Sequence, residues 1–187
     1  MILYLHGFRS SPQSRKALTL HQHLQARGHG ERYACPALPA SPRVASQLAL
    51  DLAQTVAVDQ LALIGSSLGG YYATWIAENL GCRAVLLNPA IDPARDLQAH
   101  IGRQPVFFSA DQIDFRAEYI DELREIDTTV TRPERYFLIA ATGDGVIDYR
   151  TMTAKYRGAR QRVINGSNHE LSDFSHYVDE VLSFCGV

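Results

Sequence analysis

Residues 65–69 read G-S-S-L-G, directly after the apolar run L-A-L-I at 61–64. The pattern has the form G-x-S-x-G, which makes Ser67 the candidate nucleophile and leaves Ser66 at the variable position. A chain that turns sharply from strand to helix holds the middle serine strained, with its oxygen exposed. Side chains at 65 or 69 would collide with neighbouring backbone in so tight a bend. A glycine-rich turn without chemistry is the alternative for this stretch. A serine hydroxyl is a weak nucleophile and needs a base to take its proton. It also needs an acid to orient that base and two N–H donors for the oxyanion formed on attack.

Seven histidines are available. His21, His23 and His29 lie in or near an early helix and read as surface residues, His100 falls in an irregular stretch, and His176 sits inside the last helix. His6 ends the first strand beside Gly7, which suggests loop shaping. His169 differs, because it follows the last strand in the small-residue loop N-G-S-N-H and precedes the last helix. It is the candidate general base, against a reading as a helix-capping loop histidine. The candidate acid is Asp144 in T-G-D-G-V-I-D-Y, nearer the strand end than its competitor Asp148 and flanked by Gly143 and Gly145. Asp148 can cap the next helix instead. The oxyanion donors expected are the backbone N–H of Leu68, directly after the nucleophile, and that of Phe8 in H-G-F after the first strand.

These residues need a scaffold that brings distant loops to one edge. Short apolar strands are expected at 2–6, 33–35, 61–64, 84–87, 136–140 and 162–164. Helices are expected between them. One opens at Ser11-Pro12 and ends near Gly28, and another opens at Ser41-Pro42 and runs to about 57. A third spans 71–80 and closes at Gly81, and the last runs from about 171 to 184, where Leu171, Phe174, Val178, Val181 and Leu182 keep a helical period. The stretch 91–134 breaks the alternation and is charged and helix-prone. Strands separated by helices imply a mostly parallel sheet covered on both faces, with its site beyond the C-terminal strand ends. Ser67, Asp144, His169 and H-G-F all fall at that edge.

Bulk composition narrows the partners. With 18 basic against 20 acidic residues and a formal net charge of −2, neither nucleic acid nor an anionic membrane surface is indicated. Only Lys16 and Lys155 are lysines, so nearly all positive charge is arginine, scattered along the chain. The three cysteines, Cys35, Cys82 and Cys185, form no C-x-x-C pair, and their odd count argues against a disulfide framework. That fits a cytoplasmic location. The apolar start M-I-L-Y-L-H-G has no basic leader and no cleavage site, so no signal peptide is expected. No stretch approaches the roughly 20 apolar residues of a membrane helix, so stable membrane insertion is not expected. No metal-ligand spacing such as H-E-x-x-H occurs, and no cofactor is expected.

The chain resembles the small YqiA-type serine esterases of the α/β-hydrolase superfamily. The matching runs are Y-L-H-G-F-R-S-S-P-Q-S-R-K at 4–16, A-L-P-A-S-P at 37–42, G-S-S-L-G-G-Y-Y-A-T at 65–74, L-N-P-A at 87–90, T-G-D-G-V-I-D-Y-R at 142–150 and G-S-N-H at 166–169. The chain order Ser67, Asp144, His169 is also that of an α/β-hydrolase triad. The resemblance implies a minimal α/β-hydrolase fold; the length of 187 residues suggests one domain over 1–187, in which 91–134 can supply only a modest lid-like insertion. The resemblance also implies a six-stranded sheet in the order 2-1-3-4-5-6, with Ser67 as nucleophile, Asp144 as acid and His169 as base. Gly145 stands where a larger, often acidic residue is expected, and 91–134 matches poorly, so these departures bear on substrate preference. Phe107, Phe108, Ile113 and Phe115 either line an acyl pocket or pack the insertion onto the body.

The expected reaction is hydrolysis of a small-molecule acyl ester through an acyl-enzyme. An acyl-CoA thioesterase using the same three residues is the alternative, and a non-catalytic binding protein on the same scaffold is a second. The oligomeric state is left open.

Overall fold

The computed structural model describes residues 1–107 and 110–187. Six strands form the main sheet: β1 (Ile2–Leu5), β2 (Tyr33–Ala34), β3 (Ala62–Ser66), β4 (Arg83–Leu87), β7 (Tyr136–Ala141) and β8 (Arg160–Ile164). They are parallel throughout and stand in the order β2-β1-β3-β4-β7-β8. Counted over the six expected strands, this is the order 2-1-3-4-5-6. The numbering shifts because the insertion carries an unforeseen antiparallel hairpin, β5 (Gly102–Pro105) with β6 (Gln112–Phe115). Its sequence, G-R-Q-P and Q-I-D-F, is too polar and too short to announce a strand pair.

The helices are α1 (Arg15–Ala26), α2 (Pro42–Ala53), α3 (Leu68–Leu80), α4 (Pro93–Asp96), α5 (Glu118–Glu125), α6 (Tyr149–Lys155) and α7 (Val178–Cys185). The central strands β1, β3, β4 and β7 are buried on both faces, and alternate residues feed two separate cores, whereas the edge strands are half-buried (β2) or largely exposed (β8). Leu3, Leu5, Leu63, Leu86 and Leu138 face α2, α3, α5 and α6. Ile2, Tyr4, Ile64, Val85 and Phe137 face α1 and α7. This is why the central strands read as continuous apolar runs.

Two expected helix starts are corrected. The first helix begins at Arg15, with Ser14 at its N-cap position but making no side-chain cap bond, and not at Pro12. Ser11 bends the chain into a turn first, accepting the Ser14 N–H on its carbonyl at 3.0 Å and the Gln13 N–H on its Oγ at 3.2 Å. The last helix begins at Val178, because Leu171 takes φ 46° and a 3-10 turn spans Phe174–His176. Leu171 and Phe174 still bury in the α1–α7 core, so the apolar period is satisfied by a turn instead of a continuous helix. α2 also stops at Ala53, short of the expected 57, and α3 extends back from 71 to Leu68, while the cap signals act as read. The Ser41 Oγ caps α2 at Val44 N, and Gly81 closes α3 in the left-handed region. Among the described residues, no helix is long and apolar enough to cross a membrane.

Candidate active site

The bend after β3 is built from backbone held close to backbone. Ser67 lies between β3 and α3 with φ 53° and ψ −120°, a conformation that costs energy in a non-glycine residue. Its N–H donates to Leu87 O at 3.0 Å, and its carbonyl accepts from Gly70 N at 2.9 Å and Ala90 N at 3.0 Å. These bonds pin the strained residue to the end of β4. A Cβ at Gly65 would strike the Gly69 carbonyl, and one at Gly69 would strike the Leu5 carbonyl. Both glycines are therefore required by proximity. Ser66 is the last residue of β3, buried and in register with Leu87.

Three distant loops converge on this bend. His169 Nε2 lies 3.1 Å from Ser67 Oγ, and His169 Nδ1 lies 2.7 Å from Asp144 Oδ2. The Asp144 side chain is fully shielded from solvent. Its Oδ1 accepts from Val146 N at 2.7 Å and Ile147 N at 2.9 Å. Burial works against ionisation of Asp144, but the His169 hydrogen bond and the Ile147 and Val146 amides outweigh it and hold the carboxyl below its ordinary range. An ionised carboxylate only accepts, so Nδ1 carries a proton, and Nε2 is left to accept from the serine hydroxyl. Asp148 makes no such contact. It is half-exposed and caps α6, accepting from Arg150 N at 2.9 Å.

The loop after β1 approaches from the other side. A methyl group at Gly7 would lie 3.1 Å from Ser67 Cβ and 3.6 Å from Ser67 Oγ, so H-G-F passes directly over the serine. Among the described residues, neither the Phe8 nor the Leu68 N–H is spent in a turn, loop or cap hydrogen bond. His6 is buried and shapes this loop: its Nε2 accepts from Leu38 N at 3.0 Å, and its Nδ1 donates to Gly7 O at 3.0 Å. Burial lowers its proton affinity, the Gly7 carbonyl opposing, which suits the neutral ring that an amide donor at Nε2 requires. Arg9 follows at φ 59°. Its Nε donates to Pro105 O at 2.8 Å, which ties the loop to the hairpin.

Asn88 is a site residue that sequence reasoning passed over. It is fully buried at the end of β4, at φ 43°. Its Nδ2 donates to Asn168 O at 3.0 Å and His169 O at 3.1 Å, and its Oδ1 accepts from Ala141 N at 2.9 Å. One side chain thus bonds the histidine loop to the strand that leads to Asp144. The available signal was an asparagine directly after a buried strand, since asparagine tolerates the left-handed region better than most residues.

Beside the bend is a shallow cleft of about 40 Å³, lined by Phe8, Leu38, Leu68, Tyr72, Val106 and Ile113. Of the aromatic residues in the insertion, Phe115 is fully buried and packs its ring edge against Phe8 at 5.0 Å, so it joins the insertion to the body. Phe107 is half-exposed under the Arg9 guanidinium, and Phe108 lies outside the described residues. A larger open groove of about 830 Å³, lined in part by Tyr71, Arg95, Arg124 and Lys155, does not include Ser67 or His169. Among the described residues, no group of three or more His, Cys, Asp or Glu side chains is placed to hold a metal ion.

The fold recurs among solved structures. A protein of Agrobacterium vitis S4 superposes with a TM-score of 0.77 at 16% identity, covering 98% of this chain and 87% of that one. The alpha/beta hydrolase domain-containing protein 10 from mouse gives 0.70 at 16% identity, covering 97% and 89%. Est1E from Butyrivibrio proteoclasticus, solved with ferulic acid bound, gives 0.69 at 15% identity, covering 97% and 87%. These likenesses show an α/β-hydrolase fold. A family model described as an uncharacterised protein family, UPF0227, matches residues 1–186.

Proposed function

The chain belongs to the UPF0227 family, and we propose that it is a serine esterase that hydrolyses small-molecule acyl esters through an acyl-enzyme. The observation that carries this reading is the run of contacts from Asp144 through His169 to Ser67 Oγ, on a serine held at φ 53°. In the proposed reaction, His169 Nε2 takes the Ser67 proton as Oγ attacks the ester carbonyl. The Phe8 and Leu68 amides hold the oxyanion of the tetrahedral intermediate. Each such donor supplies about 3 kcal/mol of transition-state stabilisation. His169 then delivers its proton to the leaving alcohol. Water, deprotonated by the same imidazole, attacks the acyl-serine, and the acid departs as the serine is restored. Asp144 keeps Nδ1 protonated and stabilises the imidazolium throughout. The insertion at 91–134 forms the cover of the acyl cleft.

The test is p-nitrophenyl ester hydrolysis from acetate to palmitate by wild type and Ser67→Ala, with acyl-CoA substrates in parallel and mass spectrometry after a serine-directed phosphonate. The reading expects turnover that Ser67→Ala loses and labelling confined to Ser67. Turnover confined to acyl-CoA would replace the ester reading with a thioesterase. A folded wild type that neither turns over nor labels would move the protein to a binding role.

A further inference from the structure

The loop that carries His169 is unusually contorted. Gly166, Ser167 and Leu171 all take positive φ, at 77°, 55° and 46°. Left-handed serine and leucine cost energy and persist only where surrounding bonds impose them. Three consecutive carbonyls of this loop are captured by buried side-chain donors. Asn88 takes those of Asn168 and His169, and Lys16 takes that of Glu170 at 2.7 Å. Lys16 reaches it from the first turn of α1, on the far side of the loop in sequence, and is only 7% exposed. A buried ammonium is costly unless bonded and paired, so its position calls for an explanation.

We propose that Lys16 is a positioning residue for His169: from α1 it anchors the Glu170 carbonyl next to the histidine and so holds the imidazole within reach of Ser67 Oγ. This rests on the serine-esterase reading above. The Glu170 carboxylate lies 3.7 Å from the Lys16 ammonium. Facing His169 are Asp144 at 2.7 Å and the Ser67 hydroxyl at 3.1 Å. Burial lowers the proton affinity of Lys16, while Glu170 and Asp144 work to keep it charged. The bond from Lys16 Nζ ties the histidine loop to α1. It also fixes the carbonyl next to the histidine, which restrains the ring to within reach of Ser67 Oγ.

The experiment compares wild type, Lys16→Met, Lys16→Arg and, as a remote control, Lys155→Met. Ester hydrolysis is measured from pH 5 to 9. The His169 ring resonances are followed by NMR over the same range. For Lys16→Met the expected result is a roughly tenfold loss of kcat with little change in KM. At each pH the His169 ring resonances should shift or broaden in Lys16→Met, because the ring is no longer held at one position. Lys16→Arg should recover both readouts in part, because it keeps a donor for the Glu170 carbonyl, and Lys155→Met serves only as a check that removing a lysine elsewhere leaves the His169 resonances in place. If Lys16→Met loses only thermal stability and leaves both kcat and the His169 resonances unchanged, Lys16 is a structural residue and the proposal fails. If Lys16→Met does not fold, Lys16→Gln is judged by the same two readouts. A wild type without esterase activity would sink the esterase reading alone, since the ring resonances still decide whether Lys16 positions His169.

Discussion

Arg9 and Phe107 are joined twice across the sequence. The Phe107 N–H donates to the Arg9 carbonyl at 2.7 Å, and the Arg9 guanidinium lies 4.5 Å from the centroid of the Phe107 ring. Arg9 directly follows Phe8, so the insertion grips the loop that passes over Ser67, the loop proposed above to supply the Phe8 amide. Arg9→Ala keeps the backbone bond but removes the cation–π contact and the Pro105 bond. We expect kcat/KM for p-nitrophenyl acetate to fall roughly tenfold while the melting temperature stays within a few degrees. Unchanged turnover would separate the insertion from the oxyanion loop.

Two glycines near Ser67 should fail in different ways. A Cβ at Gly69 meets the carbonyls of Leu5 and His6, both rigid backbone. Gly69→Ala should thus cost about 3 kcal/mol of stability, or abolish folding. The nearest atoms to the Cβ of Gly7→Ala are those of the Ser67 side chain and the Ser66 carbonyl, at 3.1 Å or more. Its cost should appear chiefly as a loss of kcat, with denaturant unfolding little altered.

Asp144→Asn leaves an isosteric side chain that can donate to Nδ1, so the imidazole takes the wrong tautomer. A loss of kcat on the order of 10⁴ is expected. Stability should show the carboxylate as well. The folded-state proton affinity of Asp144 is depressed from the ordinary 3.8, so its stabilisation is complete above that pH and disappears as pH falls through the lower, folded-state value. Urea titrations should find the variant less stable than wild type at pH 7, with the gap narrowing below about pH 4.

Ile113 closes one side of the small cleft beside Phe8 and Tyr72. Ile113→Ala removes that wall from a position on the hairpin, away from the serine. The preferred acyl length across the p-nitrophenyl series should move upward relative to wild type. A profile that keeps its shape would place the acyl group elsewhere, such as the groove beside Tyr71.

Much of the site was legible because its chemistry is local. The elbow is written in G-S-S-L-G, since close backbone approach at 65 and 69 admits only glycine, and that requirement travels with the motif. His169 and Asp144 were visible as a histidine and an acid in the loops after the last two main strands, where parallel sheets gather their loops. The central strands were visible because burial on both faces makes each an apolar run, whereas the edge strands Y-A and R-Q-R-V-I carry a weaker signal. The two misplaced helix starts share one cause: Ser-Pro before α1 and the apolar period before α7 are satisfied equally well by turns, and only packing selects between them.

What the sequence determined by itself was therefore the candidate reacting groups and the apolar strands that carry them, while the order of the sheet was an expectation from the resemblance. What only the tertiary structure decided was how those groups are held. Asn88 bonds a loop 80 residues away, Lys16 one 154 residues away, and Arg9 a hairpin 96 residues away. Each uses a side chain whose type and local spacing carry no motif. A hydrogen bond to a backbone carbonyl can be made by many donors from many positions, so it leaves no signature in the chain until the fold brings donor and acceptor together.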